Sequence, residues 1–119
     1  MTKIMIVDDA AFMRESLKRI LKSAGYDVAA EAKNGREAVH MYELVLPDLV
    51  MMDITMPEMD GLDAIRAIRA LHPNANIIIC SAMGQKLFML EAIQAGAKDF
   101  VVKPFFGDQV LSAVKAALA

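Results

Sequence analysis

The sequence predicts an α/β fold, an open, doubly wound five-stranded parallel sheet flanked by five helices. Three observations lead there. Five short apolar runs, at about residues 3–7, 28–32, 48–53, 76–80 and 98–102, alternate with five stretches of helical periodicity. All but the second of these runs are continuously apolar rather than alternating, the pattern of parallel strands covered on both faces. Polar residues gather at the far ends of the same runs, where an open α/β sheet places its chemistry.

The first run, Lys3-Ile4-Met5-Ile6-Val7, ends in Asp8 and Asp9. In the helix that follows, Met13, Leu17, Ile20, Leu21 and Ala24 fall at helical spacing, with Arg14, Glu15, Lys18, Arg19 and Lys22 opposite. Gly25 sits just past its end. Val28 to Ala32 form a second, less apolar strand. Asn34 is expected to cap the second helix, whose buried stripe is Ala38, Met41, Tyr42 and Val45 and which stops before Pro47.

The third run, Asp48-Leu49-Val50-Met51-Met52-Asp53, delivers a carboxylate at its tip. A loop punctuated by Pro57 and Gly61 follows. Asp60 is expected to cap the third helix, with Asp63 completing an acidic variant of the capping box. Leu62, Ile65, Ile68 and Leu71 line its inner face, and Pro73 closes it. The fourth strand, at about 76–80, runs into Ser81, and a fourth helix spans about 85–95 with Gly96 at its end. The fifth strand, about 98–102, runs into Lys103-Pro104. A last helix, about 108–118, buries Val110, Val114, Ala117 and Leu118. Phe106 stands where a polar cap would serve better, leaving Gly107 or Asp108 as weak candidates. Right-handed crossovers connect the parallel strands.

Composition narrows the classes. A chain of 119 residues, 56% hydrophobic and 24% charged with a net charge of −2, is about one compact domain. No block of five Lys or Arg residues occurs, so direct nucleic-acid binding is not expected. The longest apolar runs fall well short of the roughly 18 residues that cross a bilayer, so no membrane insertion is expected. Cys80 is alone, which rules out an internal disulfide and fits a reducing compartment. With no signal peptide at Met1-Thr2-Lys3, the expected location is cytoplasmic. Cys80 reads as a core residue, and His40 and His72 as solvated ones.

Asp8, Asp9 and Asp53 at neighbouring strand ends bring three carboxylates close together, where like charges raise one another's pKa unless a cation relieves them. Mg²⁺ suits such a site and leaves open positions for phosphate oxygens. Lys103 offers a point charge for a phosphoryl group and Ser81 a neutral hydroxyl donor. A carboxylate can itself accept the phosphoryl group, forming an aspartyl-phosphate. Each residue also has a plainer reading. Read singly, Asp9 caps the first helix, Ser81 shapes a turn, and Lys103 faces solvent. Their convergence is what favours chemistry. The stretch Lys86-Leu87-Phe88-Met89-Leu90 is apolar on more than one face, and fits either a well-buried helix or a partner surface.

The same residues carry a family pattern. Val7-Asp8-Asp9, Met52-Asp53-Ile54-Thr55-Met56-Pro57-Glu58-Met59-Asp60-Gly61, Cys80-Ser81-Ala82 and Phe100-Val101-Val102-Lys103-Pro104-Phe105 occur in order and at matching spacings. Over essentially its whole length the chain resembles the receiver domain of two-component response regulators. The runs Asp8 to Arg14, Ser81-Ala82-Met83-Gly84-Gln85 and Ala95 to Phe100 resemble the stand-alone, chemotaxis-type members.

The resemblance implies a flavodoxin-like sheet with strand order 2-1-3-4-5 and a single receiver domain over 1–119. It implies that Asp53 accepts a phosphoryl group from a sensor histidine kinase, here a chemotaxis kinase. Mg²⁺ would be bound by Asp9, Asp53, Asp8 partly through water, and the Thr55 main-chain carbonyl. Lys103, joined by a cis bond to Pro104, would contact the phosphoryl group. Ser81 would swing in to hydrogen-bond it, and Phe100 would follow into the space vacated. The output face would be the fourth helix, fifth strand and fifth helix, with a downstream protein such as the flagellar motor switch as partner. The chain is expected to be a monomer and a signalling module that assists only its own phosphorylation and dephosphorylation, not an enzyme.

The family's switch aromatic is often Tyr, and Phe100 has no hydroxyl, so its inward state would rest on burial alone. Thr55 and Met83 occupy the two variable positions that influence self-dephosphorylation, and the bulky, apolar Met83 cannot orient a water. Other readings compete. A receiver cut from a longer output regulator would end similarly. A Mg²⁺-dependent phosphohydrolase using an aspartyl-phosphate needs a second acid close after the nucleophile, where this chain has Thr55. A flavodoxin-like cofactor binder needs a Gly-rich phosphate loop after the first strand, where this chain has Asp8-Asp9.

Overall fold

The computed structural model describes residues 1–119. Its elements are β1 (Lys3–Val7), α1 (Ala11–Ser23), β2 (Asp27–Ala32), α2 (Gly35–Val45), β3 (Leu49–Asp53), α3 (Gly61–Leu71), β4 (Ile77–Ser81), α4 (Lys86–Ala95), β5 (Asp99–Val102) and α5 (Gly107–Leu118). The strands make one parallel sheet in the order β2-β1-β3-β4-β5, the doubly wound, flavodoxin-like arrangement.

Side chains along a strand alternate between its faces, so a continuously apolar strand fills two cores at once. Met5, Val7, Val50, Met52, Ile77 and Ile79 pack with Tyr42 of α2, Leu62, Ile65 and Ile68 of α3 and Ala92 of α4. Ile4, Ile6, Leu49, Met51, Ile78 and Cys80 pack on the other face with Leu17 and Leu21 of α1 and Val110, Val114 and Ala117 of α5. β2 is an edge strand with one extra residue. Ile4 pairs with Val28 but Met5 pairs with Ala30, which leaves Ala29 unpaired in a bulge.

Helix ends follow local chemistry. Asn34 Oδ1 accepts the Glu37 N–H at 2.8 Å, the cap expected for α2. Asp60 Oδ1 likewise accepts the Asp63 N–H at 3.0 Å. The reciprocal half of that capping box does not form. Asp63 is one methylene shorter than Glu, and its carboxylate lies 3.6 Å from Arg66 instead. At the end of α1, Gly25 takes φ 87°. Its N–H bonds to the Lys22 carbonyl and that of Tyr26 to the Leu21 carbonyl, satisfying two carbonyls the helix leaves open. No side chain caps α5 after Phe106.

Some positions differ from the sequence pattern. Leu71 is 64% exposed, because the inner stripe of α3 continues from Ile68 to His72. His72 is not simply solvated: its ring lies 4.9 Å from that of Tyr42, and Nε2 is 2.7 Å from Glu43 Oε1. Met41, Val45 and Leu118 are only partly buried. Ser81 is the last residue of β4 rather than the first beyond it. Of the two readings of the fourth helix, the exposed one describes it: only Ala92 is fully buried, and Leu87, Phe88 and Leu90 face outward. No helix is long and apolar enough to cross a membrane.

Candidate functional site

Register brings the polar strand ends together. Val7 pairs with Met52, so Asp8, the next residue, reaches the level of Asp53. Asp53 pairs with Cys80, which puts Ser81 one step further along β4. Ser81 pairs with Val102, and the Lys103 N–H bonds to the Ser81 carbonyl at 2.7 Å. A single end of the sheet therefore holds every predicted polar group.

One carboxylate oxygen each from Asp8, Asp9 and Asp53 lies within 4.8 Å of the others. Asp8 and Asp53 are buried and Asp9 is exposed. Lys103 Nζ bridges the two buried acids, at 2.8 Å from Asp8 Oδ2 and 3.3 Å from Asp53 Oδ1. The Lys103–Pro104 peptide is cis. Asp9 does not cap α1. Ala10 precedes that helix without a side-chain bond, and its N–H goes to Asp8 Oδ1 at 2.9 Å.

The electrostatics show one cation facing three acids. Burial, followed by the charge of Asp8, pushes the Asp53 carboxyl up to about 6, against the opposing pull of Lys103. Burial alone would lower the Lys103 ammonium. The hydrogen bond to Asp8 and the charges of Asp53 and Asp8 outweigh it, so Lys103 stays protonated. Cys80 is fully inside the core, where burial pushes its thiol up and keeps it inert.

The backbone around Asp53 is tightly held. Gly61 donates its N–H to the Ile54 carbonyl at 2.6 Å. A Cβ on Gly61 would collide with the Asp53 carbonyl oxygen, so only glycine lets α3 begin this close to the acid. Ser81 Oγ is buried with no hydrogen-bond partner, and so does not contact the acids in this conformation. Phe100 is 42% exposed and lies apart from them. It lines an apolar pocket of about 500 Å³ with Met83, Met89, Leu90, Ile93 and Val102.

Two supporting residues escape sequence reasoning. Arg14 appears in the sequence only as a polar-face residue of the first helix, yet Nη1 donates to the Asp8 carbonyl at 2.7 Å while Nε meets Glu31 at 3.2 Å. Gln85 bonds both the Ala82 amide and the Thr55 hydroxyl. Neither bond leaves a periodic signal, because each depends on how two separate loops meet.

The response regulator receiver domain model matches residues 4–115. The chain is 61% identical to the chemotaxis protein CheY of Thermotoga maritima over 112 residues, 94% of this chain and 93% of the relative. It is 57% identical to CheY of Bacillus subtilis over 116 residues, 98% of this chain and 97% of that one. A CheX–CheY–BeF3–Mg²⁺ complex from Borrelia burgdorferi superposes with a TM-score of 0.95 at 35% identity, covering 99% of this chain and 90% of that one. The site, the fold and these likenesses agree that the chain belongs to the response regulator receiver domain family.

Proposed function

We infer that the protein is a phosphorylation-switched response regulator of the chemotaxis type, with Asp53 as its phosphoryl acceptor. The observation that carries this is Lys103 Nζ held between Asp8 and Asp53, at 2.8 and 3.3 Å, beside a third carboxylate at the strand ends. Three acids against one lysine leave an excess of negative charge, and the donors are all hard oxygens, which fits Mg²⁺. Asp8, Asp9 and Asp53, with the Thr55 carbonyl, would hold the ion. Bound there, Mg²⁺ supplies the positive charge that lets anionic phosphoryl oxygens approach the acids.

The remaining steps belong to the chain's own residues. An Asp53 carboxylate oxygen attacks phosphorus in a kinase phosphohistidine. The N–P bond breaks as the O–P bond forms, and the imidazole keeps the electron pair and takes up a proton. Lys103 leaves Asp53 for a phosphoryl oxygen while retaining Asp8, so the transferred charge stays paired. Hydrolysis returns phosphate and the carboxylate.

The phosphoryl group brings about −1.5 to −2 charge and new acceptor oxygens to the end of β4. Ser81 Oγ, buried without a partner, gains one by turning toward it, since an unsatisfied buried hydroxyl costs about 1–3 kcal/mol. Phe100 then moves into the space released and remodels the α4–β5–α5 face. The exposed Leu87, Leu90 and Phe106 make that face suited to a protein partner, here a downstream component such as the flagellar motor switch. We assign the protein to the cytoplasm as a monomeric receiver of the chemotaxis type, since the CheY relatives match it over 94% and 98% of this chain. Its role is to be modified rather than to turn over a separate substrate. Incubation with acetyl phosphate tests the acceptor: a Mg²⁺-dependent adduct that disappears in Asp53→Asn supports it, and turnover of phosphomonoesters without an adduct opposes it.

A further inference from the structure

Gln85, immediately before α4, reaches back across the rim of the acid site. Its Oε1 accepts the Ala82 N–H at 2.7 Å, and its Nε2 donates to Thr55 Oγ1 at 3.0 Å. The orientation of the amide follows from its partners. A backbone N–H only donates, so the oxygen must face Ala82 and the nitrogen must face Thr55. Ala82 directly follows Ser81, and Thr55 lies two residues beyond Asp53. One side chain thus ties the β3–α3 loop, which continues directly from Asp53, to the β4–α4 loop, which follows Ser81 on the neighbouring strand. The Gln85 backbone is itself anchored, since its carbonyl accepts the Met89 N–H at 3.0 Å in the first turn of α4.

We propose that Gln85 is a positioning residue for the chemistry at Asp53: it holds Ala82 and the Thr55 side chain in their resting places, and the phosphorylated form must release it. The proposal rests on the reading of Asp53 as phosphoryl acceptor. Ser81 Oγ has no partner in the resting form. In this proposal the turn of Ser81 toward a phosphoryl group on Asp53 carries the Ser81–Ala82 peptide with it, and the N–H of that peptide is the one that Gln85 holds. The bond therefore stabilises only the resting form, and its rupture also frees the Thr55 hydroxyl. Acceptor loop, reporter hydroxyl and α4 become linked through one amide.

The test is a beryllofluoride titration at saturating Mg²⁺, followed by fluorine and amide NMR. It compares wild type, Gln85→Ala, Thr55→Val, the double variant and Asp53→Asn. Removing a hydrogen bond made only in the resting form lowers the half-saturating beryllofluoride by about fivefold in Gln85→Ala. Thr55→Val cuts one end of the strap and gives a smaller decrease, and the double variant matches Gln85→Ala alone, because the two changes remove the same link. A merely structural Gln85 would shift the melting temperature and leave the half-saturation point unmoved. An unchanged half-saturation point in Gln85→Ala, or fully additive effects, overturns the proposal. Should Gln85→Ala not fold, Thr55→Val decides: a lowered half-saturation point supports the strap and an unchanged one removes it. An adduct in wild type that Asp53→Asn lacks keeps the acceptor reading intact in either case. Failure of wild type to form any adduct overturns both.

Discussion

Asp53→Asn should stabilise the metal-free protein at neutral pH. The Asp53 carboxyl is raised from 3.8 to about 6 by burial and by Asp8. A shift of roughly two units corresponds to about 3 kcal/mol, and screening by water at the site's rim brings the expectation to about 2 kcal/mol. A carboxyl group whose folded pKa lies above its unfolded value stabilises the fold most when protonated. That contribution is complete below pH about 4 and is lost as pH rises through about 6. Asparagine has no proton to lose, and Lys103 retains Asp8 as a partner. The variant and wild type should therefore be about equally stable near pH 4, separate between pH 4 and 6, and stay apart by a constant amount above. For a chain of 119 residues, about 2 kcal/mol corresponds to roughly 8 °C in melting temperature. Urea denaturation in EDTA, followed by circular dichroism across that pH range, measures the gap. Added Mg²⁺ should narrow it, because the ion stabilises wild type more. A variant no more stable than wild type at pH 7.5, or a gap that ignores pH, would refute the claim that the charged acid is costly there.

Three further outcomes follow from the same geometry. Lys103→Met removes the only cation bridging Asp8 and Asp53, and should slow phosphorylation by acetyl phosphate at least about tenfold while Mg²⁺ still binds, as stopped-flow and calorimetry would show. Arg14→Ala frees the Asp8 carbonyl and should weaken Mg²⁺ by about tenfold in calorimetry, with little change in the far-ultraviolet spectrum. Met83 is 82% exposed in the β4–α4 loop, two residues beyond Ser81, so Met83→Glu adds a carboxylate able to orient a water without disturbing the core. It should change the dephosphorylation rate by roughly three- to tenfold, measured by loss of the adduct.

Much of this was legible in the residues themselves. Continuous apolar runs such as Ile77 to Cys80 can be buried on both faces only within a layered sheet, so they announce parallel strands before any contact is known. Asn34 and Asp60 were readable as caps because the chemistry of a cap is local. The polar strand ends were readable for a related reason: the fold places all carboxyl ends of its strands together. Strand order was different, since apolar runs look alike and order came only with the family likeness. Leu71 and His72 show where periodicity fails. Both fit a helical stripe, and the choice depends on Tyr42 of α2 offering a ring to His72. The bulge at Ala29 and the bonds of Arg14 and Gln85 lie beyond pattern reading too, because each is settled by an approach between distant segments.

The central claim is that Asp53 is a modified switch residue held between a metal site and Lys103. Intact-mass and peptide mass spectrometry after incubation with acetyl phosphate tests it most directly. The account predicts one phosphoryl adduct, carried by the Asp53 peptide, present with Mg²⁺ and absent with EDTA or in Asp53→Asn. No adduct, or one that survives EDTA or the loss of Asp53, would contradict it.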